Sequence, residues 1–408
     1  MLVKYEFLKI LRRKSTLIVM TVSLILTAFL FGLPIIQFQI YDQDNVIKGT
    51  KGIAFKKEQY KDLSVSLTEE YIADTIHDVQ KLFENPDNVG YDGNEQFLIG
   101  DAYWNEIAPR EHLLSLIAKT YSRPNEYSDY TDLPDLDIAD NPFFYQTIKE
   151  KIETLLDAPD RALSKSQKKY WRSMADSVDT PLQYGYYEGW DIIITSFELL
   201  MFMVLAVCIA VAPVFSGEYQ MGTDAVILSG KYGKTKLITA KIAASLLFGT
   251  LAFALHIAVA CSLPLAAFGV DGWNLPLQIA NTIVPYPLTF LEATVINIGI
   301  IYLVLVAMIS LTLFLSARMK SPYLVLIVIV PILFIPIFLS SNGTTGMYNL
   351  LLFLLPYRSS TPEFGKYISY QFGGLVLDVH SVRAILYAVM AGIMLPLAGL
   401  GFKKHQVA

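Results

Sequence analysis

The stretch SGEYQMGTDAVILSGKYGKTKLITAK, residues 216–241, joins two long apolar runs, one ending at Phe215 and the other starting at Ile242. It carries four lysines against the two acidic residues Glu218 and Asp224. Short loops that flank membrane spans carry an excess of Lys and Arg on the cytoplasmic side. The stretch therefore predicts that the chain crosses a membrane on either side of it and turns back in the cytoplasm.

A second feature of this stretch, GKYGKT at residues 230–235, ends like a phosphate-binding P-loop. That motif needs a further glycine, separated from the second one by four residues, so that backbone N–H groups can surround a phosphate. Position 228 is leucine, and no pattern of a parallel-sheet domain surrounds the loop. We expect neither nucleotide binding nor ATP hydrolysis by this chain itself.

The composition indicates a membrane protein. Of the 408 residues, 53% are hydrophobic and 17% are charged, and the mean hydropathy is +0.43, whereas soluble domains carry about 25% charged residues. The two cysteines, Cys208 and Cys261, lie in apolar runs, so we expect no disulfide framework and no metal site. We also expect no cofactor and no nucleic-acid partner.

Apolar runs of about 20 residues predict membrane-spanning helices. We predict six of them, at residues 15–38, 191–215, 242–267, 293–315, 323–339 and 384–401. The first run is longer than the roughly 7–15 residues of a signal-peptide core and precedes no cleavage site, so it is an uncleaved span. Before it, residues 1–14 mix apolar and basic residues and predict an interfacial helix. Residues 402–408 form the tail.

The distribution of charge predicts the orientation. Four short segments hold 13 Lys and Arg residues and three acidic residues, namely 1–14, 216–241, 316–322 and 402–408. The segments 268–292 and 340–383 together hold three basic and four acidic residues. By the positive-inside rule both termini lie in the cytoplasm, and residues 41–190 lie outside the cell. The expected location is the plasma membrane, with a bacterial cell as the expected source.

Residues 41–190 are hydrophilic, with 16 basic and 28 acidic residues, and predict one mainly helical extracellular domain. Four amphipathic helices have recognisable starts, at a capping box Ser66-x-x-Glu69, at Pro109, at Asn141-Pro142 and at a capping box Ser164-x-x-Gln167. We expect the first helix to end at Asn85-Pro86. About 150 residues with such apolar faces can bury a core and fold as one unit.

Two further features of this domain carry predictions. Residues 126–140 hold six carboxylates, which are typical of a solvated loop, although a cation site without the order of an EF-hand stays open. Four aromatic residues close to the second span predict an aromatic belt at the membrane surface, namely Tyr184, Tyr186, Tyr187 and Trp190.

The order of residues in 216–241 resembles a signature of type-2 ABC export permeases. A Glu, a Gly-Thr pair, an apolar pair, a small-residue turn and a closing Lys occur there in the loop between the second and third spans. The resemblance implies that this loop forms a short helix that docks on a separate ATPase subunit. The residues to which it assigns ATPase coupling are Glu218, Met221, Gly222, Thr223, Leu228, Lys231, Lys234, Lys236 and Lys241.

The resemblance extends over the whole membrane part of the chain. It implies an elbow helix at residues 1–14 and short re-entrant helices within residues 340–383. The implied partners are two ABC ATPase subunits, a second permease that is either another copy or a paralogue, and membrane lipid. The large outer domain resembles the subset that includes sodium-efflux-type and some peptide-immunity permeases. The implied function is export of a substrate, such as a peptide, a drug, a lipid-like molecule or an ion.

Polar residues at membrane depth are candidates for a translocation pathway, and Glu198, His256 and Asn297 qualify. At 1.5 Å per residue, Glu198 lies about 11–12 Å and His256 about 9 Å below the outer face, so a direct pair between them is one prediction. The alternative is that Glu198 bonds a nearby hydroxyl such as that of Thr195, and that His256 fills a polar gap in the packing.

A second class of function stays open at this point, in which the complex transmits a signal or force and the outer domain binds a ligand without transport. The acidity of the domain favours cationic ligands, but it also serves solubility. An intramembrane enzyme is not expected, because the chain has no H-E-x-x-H, no G-x-S-x-G and no paired intramembrane aspartates.

Overall fold

The computed structural model describes residues 2–43, 45–93, 95–124, 126–137 and 143–404. Its helices are α1 (Leu2–Leu11), α2 (Lys14–Gln37), α3 (Gly49–Gln59), α4 (Glu69–Glu84), α5 (Glu111–Tyr121), α6 (Phe144–Asp157), α7 (Lys165–Ala175), α8 (Glu188–Ser196), α9 (Met201–Val211), α10 (Pro213–Gln220), α11 (Asp224–Ser229), α12 (Lys236–Phe268), α13 (Phe290–Ser316), α14 (Pro322–Phe334), α15 (Met347–Leu352), α16 (Pro356–Ser360) and α17 (Val379–Lys403).

The strands are β1 (Gln39–Asp42), β2 (Asn45–Lys48), β3 (Val65–Ser66), β4 (Val89–Asp92), β5 (Glu95–Leu98), β6 (Gln183–Tyr184), β7 (Ser369–Phe372) and β8 (Leu375–Asp378). They form four antiparallel pairs, β1–β2, β3–β6, β4–β5 and β7–β8. The fold is mostly helical, as predicted, and short strand pairs that the sequence analysis did not predict add to it.

In the described part of the chain, five helices are long and apolar enough to cross a membrane: α2, the run Glu188–Gln220 that comprises α8 to α10, α12, α13 and α17. The predicted span 323–339 corresponds to the shorter apolar segment Pro322–Phe338. It contains Pro331 and Pro336, which lack the N–H that a continuous helix needs. Six complete crossings therefore stay a prediction.

The run Glu188–Gln220 is the centre of the bundle. In its most apolar window 72% of the residues are buried inside the protein, against 22% for α2 and for α17. The helix α9 is apolar on every side, as expected of a helix surrounded by other helices. It packs against α2 and α13, while α13 also packs along α17. We call the end of the bundle near residues 221–235 the loop end and the opposite end the domain end.

The helices of the outer domain begin as the local sequence dictates, with one exception. The capping box at Ser164 is present, and the first helix ends before Asn85, as predicted. The capping box at Ser66 is wrong: Thr68 caps α4 instead, since Ser66 is part of β3. Glu69 accepts hydrogen bonds from the backbone N–H groups of Phe144 and Tyr145, and so caps α6. The predicted cap at Asn141-Pro142 lies outside the described residues.

The outer domain and the bundle share one hydrophobic core, and independent folding of residues 41–190 stays a prediction. The aromatic residues at 184–190 are buried in this junction and do not form an exposed belt. Tyr187 stacks on Phe290 with ring centroids 4.7 Å apart, and the indole N–H of Trp190 donates to the carbonyl of Val270 over 3.0 Å. The residues that cover these aromatic side chains, such as Val270 and Phe290, are distant from them in the chain, so the sequence alone does not show the contact.

A second contact joins α7 to the hairpin β7–β8. The indole N–H of Trp171 donates to Ser369 Oγ over 3.1 Å, and the hydroxyl of Tyr170 donates to Asp378 Oδ2 over 3.0 Å. The hairpin lies in the region 340–383, where we expected re-entrant helices. The helices α15 and α16, of six and five residues, are present there as well.

The acidic loop of the domain uses two of its carboxylates to cap a short 3-10 helix. Asp129 Oδ1 accepts from the backbone N–H of Thr131 over 2.9 Å, and Asp132 Oδ2 accepts from that of Asp129 over 3.1 Å. Desolvation favours the neutral acid, but the bonds from Thr131 and Tyr127 outweigh it and lower the pKa of Asp129. Of the residues predicted here, Asp140 lies outside the described part.

Candidate functional site

The loop between α10 and α12 is shorter than predicted, because both helices continue into residues 216–241. The helix α10 ends at Gln220, and Gly222 then reverses the chain with φ +65°. The short helix α11 follows, and α12 begins at Lys236. A Cβ at Gly233 would lie 1.6 Å from the carbonyl oxygen of Ile227, so only glycine fits the turn after α11.

The backbone of this turn does not have the geometry of a phosphate cradle. The N–H of Gly233 donates to the carbonyl of Gly230 over 3.0 Å, and that of Thr235 donates to the carbonyl of Tyr232 over 3.2 Å. These N–H groups are occupied within the turn, whereas a P-loop points them at the nucleotide. The structure thus agrees with the reading of GKYGKT as a chance likeness.

A buried ionic cluster holds the loop to the bundle. Lys241 and Glu218 are 1% and 2% exposed, and Lys241 Nζ lies 2.7 Å from Glu218 Oε1 and 2.9 Å from Glu6 Oε2. Lys9 Nζ reaches the same Glu218 oxygen at 2.5 Å. The hydroxyl of Thr223 donates to Glu218 Oε2 over 2.6 Å. The cluster therefore ties α1, the start of the loop and the first turns of α12 together.

Arg13, at the break between α1 and α2, lies beside this cluster. Burial lowers the pKa of its guanidinium, and the carboxylates of Glu218 and Glu6 oppose that change. Arginine stays protonated at such a site, because its ordinary pKa is far above neutral. The break between α1 and α2 thus brings a further positive charge to the carboxylates of Glu218 and Glu6.

The structure divides the predicted coupling residues into a buried and an exposed set. Glu218, Leu228 and Lys241 are buried, and Thr223 is half-buried. They therefore belong to the support of the loop, and Lys241 cannot contribute to long-range attraction of a partner as expected. The exposed set is Met221, Gly222, Lys231, Lys234 and Lys236.

The apolar residues of the loop are not all exposed. Leu228 is buried and Ile227 is half-buried. Val226 is 74% and Met221 60% exposed. Tyr232 is exposed too, and the Nζ atoms of Lys231 and Lys236 lie 5.6 and 4.8 Å from its ring centroid. The exposed surface thus combines apolar side chains with a lysine-flanked aromatic ring.

The three pathway candidates are not brought together as predicted. His256 Nε2 lies 3.0 Å from Ser23 Oγ of α2, and its Nδ1 lies 2.7 Å from the carbonyl oxygen of Ala252. Glu198 instead accepts from the hydroxyl of Thr361 over 3.3 Å. The predicted Glu198–His256 pair is therefore wrong, because each side chain has a nearer partner on another helix or loop.

Glu198 and Asn297 meet the same segment, which the sequence analysis did not predict. The side-chain amide of Asn297 donates to the carbonyl of Ser360 over 3.4 Å, next to the Thr361 that bonds Glu198. Both residues face the end of α16. The unexpected residue here is Arg383, which is fully buried and donates to the backbone carbonyls of Phe353, Arg358 and Thr361. Its sequence signal is a charge one turn inside an apolar helix.

The model of one protein family, described as ABC-2 family transporter protein, matches residues 1–371. The chain belongs to this family. No curated protein and no solved structure matches it. As an ABC-2 family permease it is the multi-pass membrane subunit of an ABC transporter, and it works with ABC ATPase subunits. Members of the family do not hydrolyse ATP themselves, which agrees with the occupied backbone of the GKYGKT turn.

Proposed function

We propose that this permease is the membrane subunit of an exporter and that the loop Met221–Thr235 is its docking surface for a separate ATPase subunit. The loop end then lies in the cytoplasm and residues 41–190 lie outside the cell. The excess of Lys and Arg at the loop end supports this orientation. The complex comprises two ATPase subunits and two permeases, as in the type-2 exporters that the chain resembles.

The observation that carries this proposal is the exposed surface of a loop whose base is fixed. Val226, Met221 and Tyr232 offer apolar area to a groove, while Lys231, Lys234 and Lys236 surround it with positive charge. Apolar side chains at the centre of a contact supply affinity, and rim charges accelerate association. Because the cluster around Glu218 holds the loop, movement of a docked subunit reaches the bundle without being lost in a flexible hinge.

The route of that movement leads to the centre of the bundle. The helix α10 continues from α9, and the hydroxyl of Tyr219 donates to the carbonyl of Ala317 at the end of α13 over 2.8 Å. The ring of Phe215 packs on that of Phe402 of α17, with centroids 4.8 Å apart. A displacement of the loop therefore moves α9 together with the ends of α13 and α17.

We place the translocation pathway beside the end of α16, where Glu198 and Asn297 meet residues 360–361. Asn297 Oδ1 is buried and has no hydrogen-bond partner among the described residues, so it can accept a bond from a passing polar group. His256 is assigned to packing, since both of its ring nitrogens lie within hydrogen-bond distance of α2 or of its own helix.

The test is purification of the tagged full-length chain with the ABC ATPase that accompanies it in its native membrane. After reconstitution into vesicles, we expect ATP hydrolysis by the complex to exceed that of the isolated ATPase. ATP-driven loss of a substrate from the cytoplasmic side would establish export. The proposal would be contradicted if the ATPase did not bind the chain and hydrolysed ATP at the same rate with and without it.

A further inference from the structure

A groove of about 670 Å³ runs along the seam between α13 and α17, beneath α7. This is within the range of roughly 300–1,000 Å³ that is usual for small-molecule sites. Its wall is mostly apolar and consists of Ile296, Gly299, Ile300 and Leu303 of α13 and Ala384 of α17. Since α13 and α17 are membrane-spanning candidates, a groove in their seam is accessible from the hydrocarbon region.

The end of the groove nearest the outer domain contains buried polar groups without partners. His380 is 5% exposed and Tyr286 4%. Neither ring nitrogen of His380, nor the hydroxyl of Tyr286, has a hydrogen-bond partner among the described residues. The imidazole stacks on Phe364 with ring centroids 4.3 Å apart and is held edge to face against Tyr286 at 5.5 Å. Aromatic packing therefore positions this histidine.

Such groups call for a partner from outside the chain. Buried polar atoms in folded proteins are nearly always hydrogen-bonded, because their desolvation is otherwise uncompensated. Three donor or acceptor atoms that lack a partner at one end of a single groove do not fit a site that only packs. A ligand with polar hydrogens and lone pairs at one end satisfies all three.

The polarity of the groove changes along the membrane normal. His380 lies in the first turn of α17, at the domain end, whereas Ile296 and Leu303 lie six and thirteen residues into α13, which starts at Phe290. At 1.5 Å per residue the apolar wall extends roughly 9–20 Å from that end. A membrane lipid has the same arrangement, with its head at the surface and its chain toward the bilayer centre.

The charges around the polar end select the head group. Asp378 lines the groove and accepts bonds from Tyr170 and from the backbone N–H of Ser381. The cation at this end of α17, Arg383, donates from Nε, Nη1 and Nη2 to backbone carbonyls. An anionic head would lie beside the carboxylate of Asp378, and the Nε, Nη1 and Nη2 atoms of Arg383 already donate to carbonyls. Hydroxyl groups, in contrast, can bond the imidazole nitrogens and the tyrosine hydroxyl.

We propose that this groove binds a single-chain amphiphile with an uncharged, hydroxyl-bearing head, of the monoacylglycerol class, taken from the membrane. The inference goes beyond the proposed function, because binding requires neither ATP nor an ATPase subunit. Failure of one therefore leaves the other standing.

Gly299 provides the variant that closes the groove. A Cβ at this position meets no heavy atom of the described residues within 4 Å, so a leucine extends into open space with little effect on packing. Gly392 of α17 is exposed, has the same open surroundings and is not among the lining residues, so Gly392→Leu is the matched control.

The experiment uses the full-length chain in lipid nanodiscs and a monoacylglycerol with a diazirine in its acyl chain. We expect photolabelling of residues 296–303 that falls roughly tenfold in Gly299→Leu, the equivalent of about 1.4 kcal/mol of binding, and that stays unchanged in Gly392→Leu. A fatty acid of the same chain length should label the groove more weakly. The proposal would be overturned if the fatty acid labelled the groove as strongly as the monoacylglycerol. It would also be overturned if Gly299→Leu were labelled as strongly as the wild type.

A second variant tests the role of the two ring nitrogens of His380, which have no hydrogen-bond partner among the described residues. His380→Phe keeps the ring stacking and removes both nitrogens, so labelling by the monoacylglycerol probe should fall. Labelling by a plain hydrocarbon probe with the same diazirine should be retained. If His380→Phe changes labelling by the two probes to the same extent, the imidazole makes no bond to the head group and is hydrogen-bonded by water alone. The assignment of the head group then fails.

Discussion

Two groups of buried polar side chains, one at each end of the helix bundle, differ in whether they have partners. At the loop end, Glu218 and Lys241 are each paired at least twice. At the domain end, His380 and Tyr286 are as deeply buried and have no hydrogen-bond partner among the described residues. Burial of a polar group is unfavourable in both places. Paired charges hold elements in one geometry, while unpaired groups leave bonding capacity for a ligand. The first arrangement fixes α1, the loop and α12 to one another, and the second is where we propose that a ligand binds.

The largest effect on stability is expected from breaking the ionic cluster around Glu218. Lys241→Met leaves the buried carboxylate of Glu218 near the half-buried one of Glu6, with Lys9 as the cation that still contacts Glu218. Removal of one partner of a buried ion pair costs about 3–5 kcal/mol of the free energy of unfolding. Chemical unfolding in detergent micelles measures this loss.

The control for that prediction is Lys231→Met, at an exposed lysine of the same loop. Its free energy of unfolding should stay within about 0.5 kcal/mol of the wild type. Equal stability of Lys241→Met and Lys231→Met would show that the cluster does not hold the loop.

The sequence predicts features that depend on neighbouring residues, and it does not predict contacts between residues far apart in the chain. Apolar runs of 20 residues and local caps depend on neighbouring positions, so α2, α13 and the capping box at Ser164 are predictable. The partners of Glu218 and Lys241 are not, because Glu6 and Lys9 are more than 200 residues away from Glu218 in the chain. The Glu218 signature marks the turn between α10 and α12, but it does not distinguish the buried residues of the loop from the exposed ones.

The domain end is predictable to a smaller degree. Matching depths in two antiparallel spans suggest a Glu198–His256 pair, but depth does not give the direction in which a helix face points. His256 faces Ser23 and Glu198 faces Thr361. Likewise, the aromatic residues at 184–190 have the composition of a surface belt. Packing of distant segments on them, including residues 269–290 and Tyr60, makes them part of the core.

A smaller effect is expected from His112 of the outer domain, a solvent-exposed residue whose ring lies against two buried tyrosines. Its ring nitrogens lie 3.3 Å from Tyr184 Oη and 3.1 Å from Tyr187 Oη. Burial, with a contribution from the charge of Lys56, lowers the pKa of the imidazole. The unfolded chain therefore takes up this proton first as the pH falls.

The stability that neutral His112 contributes is present above its ordinary pKa and is lost as the pH falls through the folded pKa. Since His112 is exposed, solvent screens the effect, and below about pH 6.5 the free energy of unfolding should decrease by much less than the one-proton limit of about 1.4 kcal/mol per pH unit. His112→Phe removes the titration, so the difference between wild-type and variant unfolding curves should change with pH in that window. Parallel curves from pH 7.5 to 5 would contradict the assignment.

The smallest effect compares two buried tyrosines. Tyr387 donates its hydroxyl to the carbonyl of Leu354 over 2.7 Å, whereas the hydroxyl of Tyr286 has no partner among the described residues. Tyr387→Phe should cost about 0.5–1.5 kcal/mol of unfolding free energy. Tyr286→Phe in delipidated protein should cost nothing or stabilise it slightly. A larger loss for Tyr286→Phe than for Tyr387→Phe would mean that this hydroxyl is bonded within the protein.

The proposed coupling to the ATPase depends on the exposed surface of the loop 221–235. Val226→Asp tests this surface most directly. This side chain supports no buried contact, so its substitution leaves the ionic cluster intact. Val270→Asp, at a similarly exposed valine near the domain end, is the control. With the reconstituted ATPase, we expect Val226→Asp to lose about 2 kcal/mol of binding, roughly 30-fold in affinity, and with it the stimulated hydrolysis. Wild-type hydrolysis in Val226→Asp would contradict the assignment of this loop as the coupling surface.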